Sequence, residues 1–112
     1  MTYRRWDILF LKQEDNDRTG HPAVVLSSDD VMGDDKQHRF NVLTGTKKEP
    51  AENARNHQVI LGEPDGLTQP TFINCAMVFV VRKAAILRSS GSVTLHRRQQ
   101  IQRIVRGYLG LG

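Results

Sequence analysis

The sequence predicts a β-rich domain (all-β or α+β), a small barrel or half-open roll of short strands closed by one C-terminal helix. Three observations lead there. Short apolar runs alternate with Gly-, Asp- and Asn-rich loops through most of the chain. The hydrophobic period becomes helical only near the end, at Ile101, Ile104, Val105, Tyr108 and Leu109. Between successive apolar runs there is no helical pattern, which a parallel βαβ sheet would require.

Residues 6–11, Trp-Asp-Ile-Leu-Phe-Leu, are aromatic and aliphatic enough for a first strand. Residues 12–20 are polar, contain Asp15, Asn16 and Asp17 and close on Gly20, so they form a loop. Residues 22–27, Pro-Ala-Val-Val-Leu-Ser, give a buried strand entered through proline. Residues 28–38 hold Asp29, Asp30, Gly33, Asp34 and Asp35 and are expected to be a second exposed loop. Residues 39–44 supply a third strand around Phe40-Asn41-Val42-Leu43, followed by a long polar loop over residues 46–56. Residues 57–61 are a further strand, ended by Gly62, Pro64, Asp65 and Gly66.

Residues 71–81 carry Phe72, Ile73, Cys75, Met77, Val78, Phe79, Val80 and Val81. They are expected to form one central strand packed on both faces, because such a run on a sheet edge invites aggregation. Residues 84–87 extend it or form a short separate element. For the helix, Thr94 is the expected N-cap and Gly110 and Gly112 the stop.

The length of 112 residues has room for a single domain over residues 1–112. An apolar share of 38% and a charged share of 25% are those of an ordered globular chain, not a disordered one. The longest apolar stretch, residues 75–81, is too short to cross a bilayer. Residues 1–7 have neither the apolar core nor the small-residue cleavage site of a signal peptide, so a cytoplasmic protein with no membrane partner is expected. The single cysteine excludes an internal disulfide framework and any multi-cysteine metal site.

Charge is unevenly placed. Residues 1–81 carry nine Lys/Arg against twelve Asp/Glu, whereas residues 82–112 carry seven Lys/Arg and no acid. This asymmetry suits an acidic partner, either nucleic acid or an acidic protein segment, or else a solvated helix face.

Specific segments carry a family resemblance. Trp6-Asp7-Ile8 is similar to the opening Gly-Asp-Ile/Val strand of the MazF/PemK toxins, with Trp6 in place of the glycine. Gly20-His21-Pro22-Ala23-Val24-Val25-Leu26-Ser27 resembles that family's Gly-x-Arg-Pro-Ala-Val-Val-Leu-Ser segment, either one residue shorter or with His21 in the arginine's place. Val42-Leu43-Thr44-Gly45-Thr46 is similar to its threonine-bearing strand end, and residues 91–111 to its final helix. The resemblance implies an SH3-like barrel with a C-terminal helix, a symmetric homodimer, and a toxin that cleaves single-stranded RNA without metal and is neutralised by an antitoxin. The same barrel serves CcdB-type gyrase poisons, which are not nucleases. A non-catalytic toxin, or a nucleic-acid- or protein-binding module, is therefore the alternative.

Metal-free RNA cleavage needs a base for the 2′-hydroxyl proton, donors or a cation for the phosphorane oxygens, and an acid for the 5′-oxygen. The resemblance implies a catalytic pair at His21 and Thr44, with Thr46 the rival threonine if the register slips by two. An imidazole exchanges protons near neutrality, which an arginine does reluctantly, but it gives up the fixed charge and bidentate fork that suit phosphate. Arg18, in the same loop, can restore that charge, and Lys47 and Lys48 can contact phosphates.

No cofactor is implied. The aspartates of residues 28–38 fit no EF-hand spacing, and His38, His57 and His96 are too scattered for a ligand set. Cys75, in an apolar run, reads as buried core. Arg97 and Arg98 stand in the first turn of the helix, where the macrodipole disfavours cations, and so hint at a function.

Overall fold

Among the described residues the apolar runs become seven strands: β1 (Asp7–Leu11), β2 (His21–Val25), β3 (Arg39–Thr46), β4 (Gln58–Leu61), β5 (Thr71–Asn74), β6 (Phe79–Arg82) and β7 (Ile86–Ser92). A one-turn helix α1 (Asp29–Gly33) follows β2, and helix α2 (Leu95–Leu109) ends the fold. The computed structural model describes residues 2–46 and 55–111. Antiparallel pairing gives the order β4-β5-β3-β2-β1-β7, with β6 also on β3. The long β3 is the hinge of this arrangement. Its middle, Val42 to Thr44, pairs with β2 on one side, while Arg39 to Val42 pair with β6 and Gly45 and Thr46 with β5 on the other. The sheet curls into an SH3-like half-barrel closed by α2.

The central strands are apolar on both faces because both are covered. Ile8, Phe10, Val24 and Leu43 face one core with Val59, Leu61, Ile73, Val93 and Ile101 of α2. Leu9, Leu11, Ala23, Val25 and Val42 face a second core with Phe40 and Met32 of α1. In α2 only Ile101 is fully buried; Ile104 and Val105 pack against the first core, and Tyr108 and Leu109 are exposed.

Two expectations are corrected here. Residues 71–81 are not one central buried strand. The Asn74 side chain accepts the Ala76 N–H at 2.9 Å, a local turn that competes with the ladder and ends β5. The chain then resumes as β6, which is bonded to β3 alone. Phe72 and Ile73 are buried, but Met77, Phe79 and Val80 are 52%, 40% and 64% exposed. Residues 28–38 are likewise not all loop. The Ser28 hydroxyl accepts the Val31 N–H and starts α1. At its other end the Lys83 ammonium donates to the carbonyls of Val31, Met32 and Asp34 at 2.7, 3.2 and 3.0 Å, a cation where the helix dipole wants one.

Thr94 stands at the N-cap of α2, but its hydroxyl caps nothing; Asp65, reaching in from the turn after β4, accepts the Thr94 N–H at 2.8 Å. Gly110, at φ +69°, is the C-terminal stop, as expected. The first-turn arginines are also accounted for. Arg98 donates to the Val93 carbonyl and the Ser92 hydroxyl, and Arg97 to Gln100. Trp6 is the one described non-glycine residue in the left-handed region, at φ +75°. That conformation costs a bulky residue about 1–2 kcal/mol. It is offset by backbone bonds, since Trp6 N–H donates to Val25 and Trp6 C=O accepts from Val93, both at 2.9 Å.

Candidate functional site

The β2–β3 register brings the two catalytic candidates together. Ala23 faces Thr44 across the ladder, so Thr44 shares a sheet face with Ala23 and, two residues on, with His21. A diagonal pair of this kind has Cα atoms about 7–8 Å apart and Cβ atoms somewhat closer. His21 also lies opposite Leu11 of β1, at the end of the strand where the apolar second core gives way to solvent. Its side chain is 53% exposed. Thr44 is half-buried, and Thr46, beyond it on β3, is exposed opposite Phe72. Among the described residues, the hydroxyls of Thr44 and Thr46 and the guanidinium of exposed Arg18 have no hydrogen-bond partner. Lys47 and Lys48 lie outside the described residues.

The loop before β2 is organised by Asp17. One carboxylate oxygen accepts the Gly20 N–H at 3.0 Å and the Thr19 hydroxyl at 3.4 Å. The other accepts the Gln13 N–H at 3.2 Å and sits 3.7 Å from His21 Nε2, an ion pair when the imidazole is protonated. These contacts hold the Asp17 carboxyl below the usual carboxylate range, the Gly20 and Gln13 N–H groups first and the charge of His21 after them. Gly20, at φ +75°, allows the turn into β2; a Cβ there would press on Leu87 and Phe10 at 3.0 Å.

Arg88 of β7 fixes the same loop from outside. Its guanidinium lies over the Phe10 ring, 4.4 Å from the centroid, and donates to the Thr19 carbonyl at 2.9 Å. Sequence reasoning missed the roles of both Asp17 and Arg88. The Asp-x-x-Gly spacing of Asp17 and Gly20 was the available signal for the first. For Arg88 there was none, since its partners lie far away in the chain.

Chemically, the site offers an exposed imidazole steadied by a carboxylate, a nearby hydroxyl and a loop cation. This is a set that can move a proton and meet an anion. Among the described residues, no group of three or more His, Cys, Asp or Glu side chains is arranged to hold a metal ion. Asp29 is instead engaged by the Arg5 N–H and Asp34 by the Lys36 N–H. Cys75 is buried, as expected, and burial pushes its thiol up to about 12. Among the described residues no helix is long and apolar enough to cross a membrane.

Comparison with known proteins places these features. The family profile of the PemK-like, MazF-like toxins of type II toxin–antitoxin systems matches residues 4–109. Comparison with curated protein sequences yields no match. Among solved structures, a mycobacterial endoribonuclease in complex with its cognate antitoxin superposes with a TM-score of 0.77 at 16% identity, covering 99% of this chain and 96% of that one. The Mycobacterium tuberculosis toxin MazF-mt6 gives 0.75 at 16% identity over 95% and 98% of the two chains. A chain of the MazE–MazF complex from Deinococcus radiodurans gives 0.79 at 12% identity over 100% and 99%. The fold is shared along the whole length.

Proposed function

Because the chain belongs to the PemK-like, MazF-like toxins of type II toxin–antitoxin systems, we propose that it is an endoribonuclease toxin acting in the cytoplasm on single-stranded RNA without a divalent metal. The observation that carries this reading is the common face of His21 and Thr44 at the open end of β2 and β3. When the 2′-oxygen attacks phosphorus, the P–O2′ bond forms and the P–O5′ bond breaks. A proton must leave the 2′-hydroxyl and one must reach the departing 5′-oxygen. His21 takes the first proton as neutral imidazole and, as imidazolium, returns it to the 5′-oxygen, leaving a 2′,3′-cyclic phosphate and a 5′-hydroxyl. The Thr44 hydroxyl donates to a non-bridging oxygen, and Arg18 supplies the charge that an imidazole alone lacks at the phosphorane. Thr46, Lys47 and Lys48 extend the path along the RNA backbone.

The mycobacterial neighbour is an endoribonuclease held by its cognate antitoxin. This chain is proposed to be held in a similar way, by an antitoxin whose acidic segment meets the acid-free stretch 82–112. Met77, Phe79 and Val80, exposed beside an open strand edge, support association of two copies into a homodimer.

Incubating the purified protein with single-stranded RNA in EDTA tests the activity. Cleavage is expected, with His21→Ala slower by about 10²–10⁴-fold. Thr44→Val is expected to lose about 10²–10³-fold, as for a lost oxyanion donor. Full activity in His21→Ala would defeat the role of His21. No cleavage by the wild type over varied sequences would defeat the nuclease reading.

A further inference from the structure

Trp6 occupies a position whose backbone suits glycine. At φ +75° its N–H and C=O join β1 to β2 and to the start of α2, bonds that glycine would make without strain. The ring is therefore the part that a glycine would not supply. Trp6 lines a groove of about 270 Å³ between the start of β1 and helix α2, with Arg5, Gln102 and Arg106 beside a mainly aliphatic lining that includes Leu26 and Val105. Among the described residues no side-chain carboxylate lines this groove. Arg5 uses only its Nε, donating to the Leu26 carbonyl at 2.8 Å. Among the described residues, its terminal nitrogens, the Gln102 amide and the Arg106 guanidinium have no partner. Trp6 also lines a neighbouring depression where Asp29 and Asp30 stand beside Arg4, Arg5 and Arg98, whereas the α2 groove brings cations without those carboxylates.

The geometry points to a second nucleotide subsite at Trp6, taking an unpaired base of the RNA outside the cleavage site. The base stacks on the indole, the Gln102 amide meets its edge, and Arg106 and Arg5 bind the adjoining phosphates. An aromatic face beside unpaired guanidinium groups is how proteins hold single strands with little sequence preference. β1 separates this subsite from His21, because Leu11, opposite His21, lies five residues from Trp6, about 17 Å along a strand. The assignment rests on the single-stranded RNA reading above, but concerns residues that take no part in the chemistry.

Trp6 is the chain's single tryptophan, so the emission comes from this residue alone, and Arg106→Gln, on the α2 side only, tells this groove from the depression beside Asp29. The test is a titration with a dye-labelled 2′-O-methyl oligoribonucleotide, which has no free 2′-hydroxyl and is not cut. Trp6 emission and dye anisotropy are followed together. Saturable quenching in step with anisotropy is expected. Trp6→Ala should weaken binding by about 5- to 150-fold, the span of one lost base–aromatic stack, and Trp6→Phe should retain most of it. Trp6→Gly should weaken binding like alanine; its backbone accepts φ +75° freely. Because the ring also packs against the first core, binding is compared only where far-UV circular dichroism shows the variant folded, Trp6→Phe keeping the test open if it is not. Arg106→Gln should lower the slope of log affinity against log salt by about 0.7. Anisotropy that saturates while Trp6 emission stays unmoved, or wild-type affinity in both Trp6→Ala and Trp6→Gly, would overturn the subsite and leave the ribonuclease reading standing. Emission that changes with protein concentration but not with oligonucleotide would assign the groove to a second copy of the chain and overturn it too. No anisotropy change at any concentration would overturn both.

Discussion

Asp65 is the side chain on which the seating of α2 depends most directly. It is 3% exposed, and its two oxygens serve different donors: Oδ1 accepts the Thr94 N–H at 2.8 Å and Oδ2 the Gly62 N–H at 3.0 Å. A hydrogen bond to a charged acceptor contributes about 1.5–3 kcal/mol net, so the lower end of that range for two partly buried bonds gives about 3 kcal/mol for Asp65→Ala. Against a stability of about 5–15 kcal/mol for a small domain, this is a large share. Asp65→Asn sharpens the test. An amide has one accepting oxygen, so whichever way it turns, its NH₂ meets a backbone N–H. A loss of about 2–4 kcal/mol is expected there despite the matched shape. Urea unfolding followed by far-UV circular dichroism should show the Asp65→Ala midpoint lower by about 2 M, for a slope of about 1.5 kcal/mol/M. Both variants within about 0.5 kcal/mol of wild type would refute the view that this carboxylate holds the start of α2.

The Asp17 carboxyl is depressed in the folded protein, so the loop stability it supplies is complete above its unfolded pKa of about 3.9 and is lost as pH falls through the lower folded value. In a His21→Ala background, free of the neighbouring imidazole, the amide resonances of Gln13 and Gly20 should therefore hold their positions from neutral pH down to about 4 and move only below it. Movement beginning at pH 5 or higher would contradict this. Cys75, raised to about 12 by burial, should resist a thiol reagent at pH 8 in the native protein and react promptly in urea. Stoichiometric native labelling within minutes would show that the core around it opens. Light scattering at tens of micromolar should give twice the 12.7 kDa chain mass, and Val80→Lys, altering a residue 64% exposed in the single chain, should give a folded monomer. A wild-type monomer would count against the dimer.

The local elements were legible wherever a local cause made them. The apolar runs became β1 to β4, and the period of Ile101, Ile104 and Val105 became α2 with Gly110 as its stop. The segments flanking His21 and Thr44 carried a family resemblance that the profile over residues 4–109 bears out. Even two of the misreadings had local signals: Asn74 within an apolar run, and Ser28 ahead of two aspartates. Tertiary structure alone decided the rest. The eight apolar residues of 71–81 divide between the core and an exposed edge because β3 offers β5 and β6 successive stretches of one side, and composition is the same for a core strand and an uncovered one. Asp65 holds Thr94, Lys83 caps α1, Arg88 fixes the Thr19 carbonyl, and the Ala23–Thr44 register puts Thr44 on the face of His21. Each of these joins segments far apart in the chain. Hydrophobic periodicity reports how a segment meets its own surroundings; which distant donor meets which acceptor is set only when the curled sheet brings their backbones together.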